Sequence, residues 1–344
     1  MQNITIAPSQ LSALLDAVNT ANQGKPAERQ RVLFIASAPG IGKSSIIRAW
    51  ADSAKRRFHD IRLAYAAPTD VRGFPMINAE GYMSFAPSSE YPTDEGSVLF
   101  LDEFTCAARQ TQLAALQLIL DKRIGDYHVP DNTLIVLAGN RSVDRAHVER
   151  LSSAVVNRII QVTLSPSVDG WIDWAAGAGV DSRVIAFVKF RPDLLNDFDA
   201  AKWDGASAFA TPRSWEAVSD LLDSTKSPDL RSAILHGTIG GGAGTEFDAF
   251  LRTMDALPDI DEMLKDPDNC EMPSSKPDVQ LALAAGLVSR CTPEKIDAVI
   301  QLSNRIPKEF QVLTIKCGIK RYPEIYKSSA IAKFVVANAK NLGM

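Results

Sequence analysis

Residues 32–50 read VLFIASAPGIGKSSIIRAW, so an apolar, β-branched run passes through a short loop directly into a helical pattern. Residues 31–36 suit a central parallel strand buried on both faces. After the loop, Ile46, Ile47, Trp50 and Ala54 recur on one helical face. Strand, tight loop and helix in this order predict an α/β sheet whose carboxyl edge carries the chemistry.

The loop itself, SAPGIGKS at residues 37–44, fits the phosphate-loop pattern G-x-x-x-x-G-K-[ST], with Ser37 at the first glycine position. Pro39, Gly40, Ile41, Gly42, Lys43, Ser44 and Ser45 form the expected phosphate cradle. Gly40 and Gly42 keep Cβ atoms out of the way, and the amides from Gly40 to Ser45 face an anion at a helix start. Lys43 would reach the β- and γ-phosphates of ATP, and the Ser44 hydroxyl would ligate Mg2+. A second apolar strand, SVLFLDEF at residues 97–104, ends in Asp102 and Glu103. Asp102 is expected to hold Mg2+ and Glu103 to polarise the attacking water. A third, TLIVLA at residues 133–138, runs into Gly139 and Asn140, which places an amide beside the γ-phosphate to position water. Val148, Leu151 and Val155 then form a helical stripe with Arg158 at its end, followed by a last strand at residues 159–164.

Composition narrows the alternatives. The chain has 344 residues, 46% hydrophobic and 23% charged, which is enough for two or three domains with buried cores. A formal net charge of -4 weighs against a chain built to coat nucleic acid. Cys106, Cys270, Cys291 and Cys317 lack paired spacing, so reduced and mostly buried thiols are expected in place of a zinc site. The apolar runs are short, and the opening MQNITIAPSQ lacks a basic then apolar leader, so a cytoplasmic chain is expected.

Taken together, strand and phosphate loop, strand and Asp-Glu, strand and Asn, then helix, Arg and strand, the order over about residues 28–225 resembles the AAA+ ATPases. It is similar in particular to the MoxR-like branch, which inserts a hairpin in the second core helix. Residues 70–92 occupy that place, and residues 123–132 match a second hairpin ahead of the Asn140 strand. The resemblance implies a sensor arginine at Arg213, which follows the Thr211 N-cap and Pro212 in ATPRSWEAVSDLL. It implies an arginine finger acting between subunits, with Arg158 ranked first, Arg150 second and Arg145 also in range.

The organisation expected from these landmarks is an αβα core over residues 1–165 with a five-stranded parallel sheet and an insert at about 70–92. A helical lid covers 166–243 and a helical C-terminal region 244–344. Trp171, Trp174, Phe187 and Phe190 are expected to pack in the lid, and GTIGGGAG at residues 237–244 to cap a helix and link the regions. The function implied is Mg2+-dependent ATP hydrolysis by a homo-oligomer, a hexamer by resemblance, that remodels a client or works with a von Willebrand A-domain partner. A nucleic-acid motor or loader and a low-turnover nucleotide switch remain open. Phe74, Tyr82 and Phe85 in the insert either expose aromatic area at the hairpin tip or pack within the protomer.

Overall fold

The computed structural model describes residues 4–141, 143–144 and 153–342. The chain divides into two compact units, one of residues 1–166 with 199–202, the other of 167–198 with 203–344.

In the first unit the chain runs β1 (Thr5–Ile6), α1 (Pro8–Asn22), β2 (Val32–Ser37), α2 (Lys43–Ser53), β3 (Phe58–Arg62) and α3 (Pro68–Arg72). The hairpin β4 (Phe74–Ile77) and β5 (Met83–Ala86) follows, then β6 (Val98–Asp102) and α4 (Arg109–Asp121). A second hairpin, β7 (Arg123–Ile124) and β8 (Tyr127–His128), precedes β9 (Leu134–Asn140), α5 (Ser153–Val156) and β10 (Ile159–Leu164). The sheet order is β1-β10-β2-β9-β6-β3 and every pairing is parallel. The five expected strands are thus joined by a sixth, β1, which pairs Thr5 with Thr163 at the edge. A two-residue strand is too short to leave a periodic signal, so the sequence did not announce it.

Uninterrupted apolar runs put β2, β6 and β9 in the middle of the sheet, and all six residues of β2 are buried. On α1, Leu11, Leu15 and Val18 are buried, and on α2 Ile47 and Trp50. The Trp50 indole donates to Asp16 at 2.9 Å, so the two helices are joined by a polar contact at the rim of their apolar one. Each such Leu or Ile contributes about 1.5–3 kcal/mol on burial. The buried Asn22 side chain both donates to and accepts from the Arg31 backbone at 2.8 Å, fixing the end of α1 to the chain entering β2.

The insert forms the expected hairpin. Phe74 pairs with Ala86 and Ile77 with Met83. Its turn closes through Asn78, whose amide donates to the Tyr82 carbonyl and whose side chain accepts from the Tyr82 amide, both at 2.8 Å. At its root Gly73 has φ +96°, and a Cβ there would lie 2.4 Å from the Ala86 carbonyl oxygen. Phe74, Ile77 and Tyr82 are each 70–72% exposed and Met83 64%. Phe85 is instead half-buried, with the Arg72 guanidinium 4.5 Å above its ring. Tyr91, just past the hairpin, stacks on Tyr127 of β8 at 5.0 Å, and the Tyr127 hydroxyl donates to the Pro92 carbonyl at 2.8 Å.

The second unit is helical: α6 (Val168–Ala178), α7 (Ser182–Phe190), α8 (Pro212–Leu221), α9 (Pro228–Ile239), α10 (Gly241–Asp255) and α11 (Ile260–Met263). It continues with α12 (Pro277–Val288), α13 (Ile296–Ser303), α14 (Lys308–Arg321) and α15 (Ser329–Leu342). Residues 280–288 of α12 are buried on every side, which makes it the central helix of this unit. Phe187, Trp215, Phe247 and Phe250 form an aromatic cluster with centroids 5.0–6.1 Å apart. Trp171 and Phe187 pack as expected, whereas Trp174 and Phe190 are 45% and 43% exposed. Within the glycine-rich stretch Gly240 caps both flanking helices. Gly240, at φ +83°, is a one-residue joint between α9 and α10, where a Cβ would meet the Ala208 carbonyl oxygen at 2.4 Å. No helix among the described residues is long and apolar enough to cross a membrane.

Candidate nucleotide-binding site

The loop between β2 and α2 turns on two glycines in the left-handed region, Gly40 at φ +74° and Gly42 at φ +91°. A Cβ added at Gly42 would meet nothing within 4 Å, so the backbone angle and not lack of space calls for glycine there. Pro39, Gly40 and Gly42 are partly exposed and Ile41 is buried. The Ile46 amide donates to the Gly42 carbonyl and opens the first turn of α2, which leaves the preceding amides for an anion.

Four side chains meet at this loop, in two pairs. The Lys43 ammonium donates to Ser37 Oγ at 2.8 Å, and the Ser44 hydroxyl donates to Asp102 Oδ2 at 2.8 Å. Asp102 Oδ1 accepts the Glu103 amide, also at 2.8 Å. Ser45 is exposed on the first turn of α2. A carboxylate and a hydroxyl side by side are the hard oxygen donors that Mg2+ takes. Among the described residues no group of three or more His, Cys, Asp or Glu is placed to hold a metal. The pair fits a Mg2+ ion that completes its shell with phosphate oxygens and water. Asp60, on β3 beside β6, has its carboxyl pushed up by burial and then by the Asp102 charge, against the pull of Arg62 and Arg48.

Glu103 sits at φ 55°, ψ 29°, a left-handed conformation that costs a residue with a Cβ about 1–2 kcal/mol. It heads a 3-10 turn, Phe104–Cys106, whose Thr105 and Cys106 reach the end of β9. The Asn140 amide donates to Thr105 Oγ1 at 3.0 Å, the Thr105 hydroxyl donates back to the Asn140 carbonyl at 3.3 Å, and Asn140 Nδ2 donates to Cys106 Sγ at 3.4 Å. A Cβ at Gly139 would lie 2.4 Å from Thr105 Oγ1, so this approach requires glycine. Register brings Asn140 alongside Ser37.

The structure therefore brings Lys43, Ser44, Asp102, Glu103 and Asn140 to one edge of the sheet. Arg158 is exposed in the turn after α5, held by its amide to the Val155 carbonyl at 2.9 Å. Arg213 lies in the second unit, exposed on the first turn of α8, where Thr211 Oγ1 accepts the Ser214 amide at 3.1 Å. Arg145 and Arg150 lie outside the described residues, as do Val148 and Leu151. Of the four thiols, Cys291 and Cys317 are buried and pushed up to about 12 by that burial, while Cys106 and Cys270 are half-buried. Sequence reasoning missed Thr105 and Cys106, whose contacts with Asn140 span a chain separation of 35 and 34 residues. Their one signal was position, directly after the Asp-Glu pair.

Residues 32–165, from the start of β2 to just beyond β10, match the model of the ATPase family associated with various cellular activities (AAA). That stretch holds every strand of the first unit's main sheet except β1. Among solved structures, a putative ATPase from Cytophaga hutchinsonii is 19% identical with a TM-score of 0.33, over 46% of this chain and 46% of that one. NtrX from Brucella abortus in complex with ADP is 15% identical with a TM-score of 0.37, over 97% and 69%. A RuvB mutant from Thermotoga maritima is 17% identical with a TM-score of 0.39, over 81% and 80%. No curated protein matches the sequence.

Proposed function

We propose that this chain is an oligomeric, Mg2+-dependent ATPase of the MoxR-like kind that couples nucleotide turnover to work on another protein. The observation that carries the reading is the convergence of Lys43, Ser44, Asp102, Glu103 and Asn140 at the carboxyl edge of the parallel sheet. In open α/β sheets that edge is where ligands bind.

In this reading the amides of residues 40–45 bind the phosphate chain, Lys43 meets the β- and γ-phosphates, and Ser44 with Asp102 holds the metal. Mg2+, when bound, neutralises charge that builds on the phosphate oxygens. Glu103 takes up a proton from the attacking water through its carboxylate, and Asn140 fixes that water with its side-chain amide. A loose phosphoryl-transfer transition state needs a further cation. Arg158, exposed and outside this cluster, supplies it to a neighbouring subunit, which makes the site complete only in an oligomer. Arg213 acts as the sensor of bound nucleotide.

The exposed apolar hairpin supports work on a protein, whether a client or a von Willebrand A-domain partner. Four side chains, Phe74, Ile77, Tyr82 and Met83, present apolar area where a monomer gains nothing from it. Lys43→Ala tests the nucleotide site itself. It is expected to lose about tenfold to a hundredfold in ATP affinity by calorimetric titration, the loss of one charge-assisted phosphate contact. Unchanged affinity would remove the site from this loop.

A further inference from the structure

We infer that Ser37 is a positioning residue for Lys43, whose ammonium its hydroxyl holds over the phosphate cradle. The inference rests on the nucleotide-site reading above. Ser37 stands where the loop pattern has its first glycine, at the last position of β2. It is 0% exposed, so its hydroxyl has no water to turn to. That hydroxyl donates to the Ala38 carbonyl at 2.7 Å and accepts from Lys43 Nζ at 2.8 Å. Its proton is therefore committed to the backbone, and a lone pair faces the ammonium.

The chemistry of this contact differs from an ion pair. A carboxylate at position 37 would neutralise Lys43 and compete with phosphate. A hydroxyl orients the cation and leaves its charge intact. Lysine carries three N–H donors, and the contact with Ser37 uses one of them. Lysine also has about the largest side-chain freedom to lose when it is immobilised, and a partner already in place removes part of that cost before nucleotide arrives. Strand register adds a second fixed point, because Ser37 lies alongside Asn140 and is buried within the sheet. Lys43 is thus referenced to the rigid sheet and not only to the loop that carries it.

The test is nucleotide binding by Ser37→Ala and Ser37→Gly, each measured with ATP, ADP and AMP in the presence of Mg2+. Both variants shrink a buried side chain, and the second restores the glycine of the loop pattern. Affinity for ATP and ADP is expected to fall about 3- to 10-fold, the cost of ordering one long side chain. AMP, which lacks the phosphates Lys43 reaches, is expected to bind as it does to the parent. In a Lys43→Ala background, adding Ser37→Ala is expected to cost nothing more. Parental or tighter ATP affinity in Ser37→Ala, an equal loss for AMP, or the same loss persisting without Lys43 would overturn the role of Ser37. If Lys43→Ala alone binds ATP as the parent does, the nucleotide-site reading itself fails, which separates the two failures.

Discussion

The Ser44 hydroxyl donates to Asp102 Oδ2 at 2.8 Å across a sequence separation of 58 residues. The contact joins the first turn of α2 to the end of β6, and it assembles a pair of oxygen donors that neither segment has alone. Ser44→Ala removes the hydroxyl while leaving the loop backbone untouched. ATP affinity in the presence of Mg2+ is expected to fall about tenfold, the scale of one hydrogen bond to a charged group. With the metal chelated, parent and variant are expected to bind ATP alike. A loss that is equal with and without Mg2+ would assign Ser44 to phosphate and not to metal.

Glu103 combines an expected chemical role with a strained backbone at φ 55°. Glu103→Gln is expected to retain ATP and lose hydrolysis by about 10²- to 10⁴-fold, the usual range for a general base. Glu103→Gly is expected to lose hydrolysis too, yet to raise the urea midpoint, because glycine adopts the left-handed region without the penalty of about 1–2 kcal/mol. A destabilised glycine variant would mean that the Glu103 side chain contributes more to the fold than its backbone costs.

Arg158→Ala is expected to bind ATP normally and to hydrolyse it about 10³-fold more slowly or worse if the arginine serves a neighbouring site. Mixing it with Lys43→Ala subunits should restore part of the turnover, since one subunit offers an intact pocket and the other an intact arginine. Mixed oligomers that stay inactive would transfer the role to another arginine.

Phe74→Ser with Tyr82→Ser removes two rings that are 70% and 72% exposed. Basal ATPase and oligomer size are expected to stay as in the parent, while stimulation by a partner or client is lost. Loss of basal activity would show instead that the rings pack against a neighbouring subunit.

Lys122 closes α4 at 5% exposure, and its Nζ is buried with no hydrogen-bond partner among the described residues. Burial pushes its ammonium down to about 7 from the ordinary 10.5. The unfolded chain therefore binds the extra proton between these values. The sign follows: this group weakens the fold fully below pH 7, and its penalty fades as pH rises toward 10.5, by up to about 1.4 kcal/mol per pH unit. Lys122→Met is expected to be more stable than the parent in urea unfolding at pH 7, with the gain shrinking by pH 9. A gain that does not change with pH would place its origin in packing.

Much of the candidate site was legible because its parts are local. Apolar runs without alternation marked β2, β6 and β9, and each ends in polar residues of the proposed site. The hairpin was placed within residues 70–92 by its position between the phosphate loop and the Asp-Glu strand, and its strands fall at Phe74–Ile77 and Met83–Ala86. What the sequence hid are contacts between distant segments. Thr105 meets Asn140 only because the turn after Glu103 folds onto β9, and no spacing rule links residues from different strands. Trp174 and Phe190 misled for a related reason. Helical periodicity tells which residues share a face, but not how far along that face a neighbouring helix extends.

The root of the insert has a mechanical implication. Gly73 is pinched against the Ala86 carbonyl, Phe85 Cβ lies within 3.4 Å of where a Cβ on Gly125 would sit, and Tyr91 stacks on Tyr127. The hairpin is therefore geared to the second hairpin and is not a free flap. That second hairpin leads directly into β9, which ends in Asn140. Force applied at the apolar tip would therefore load the second hairpin as well, because the two share one braced base in place of a loose hinge.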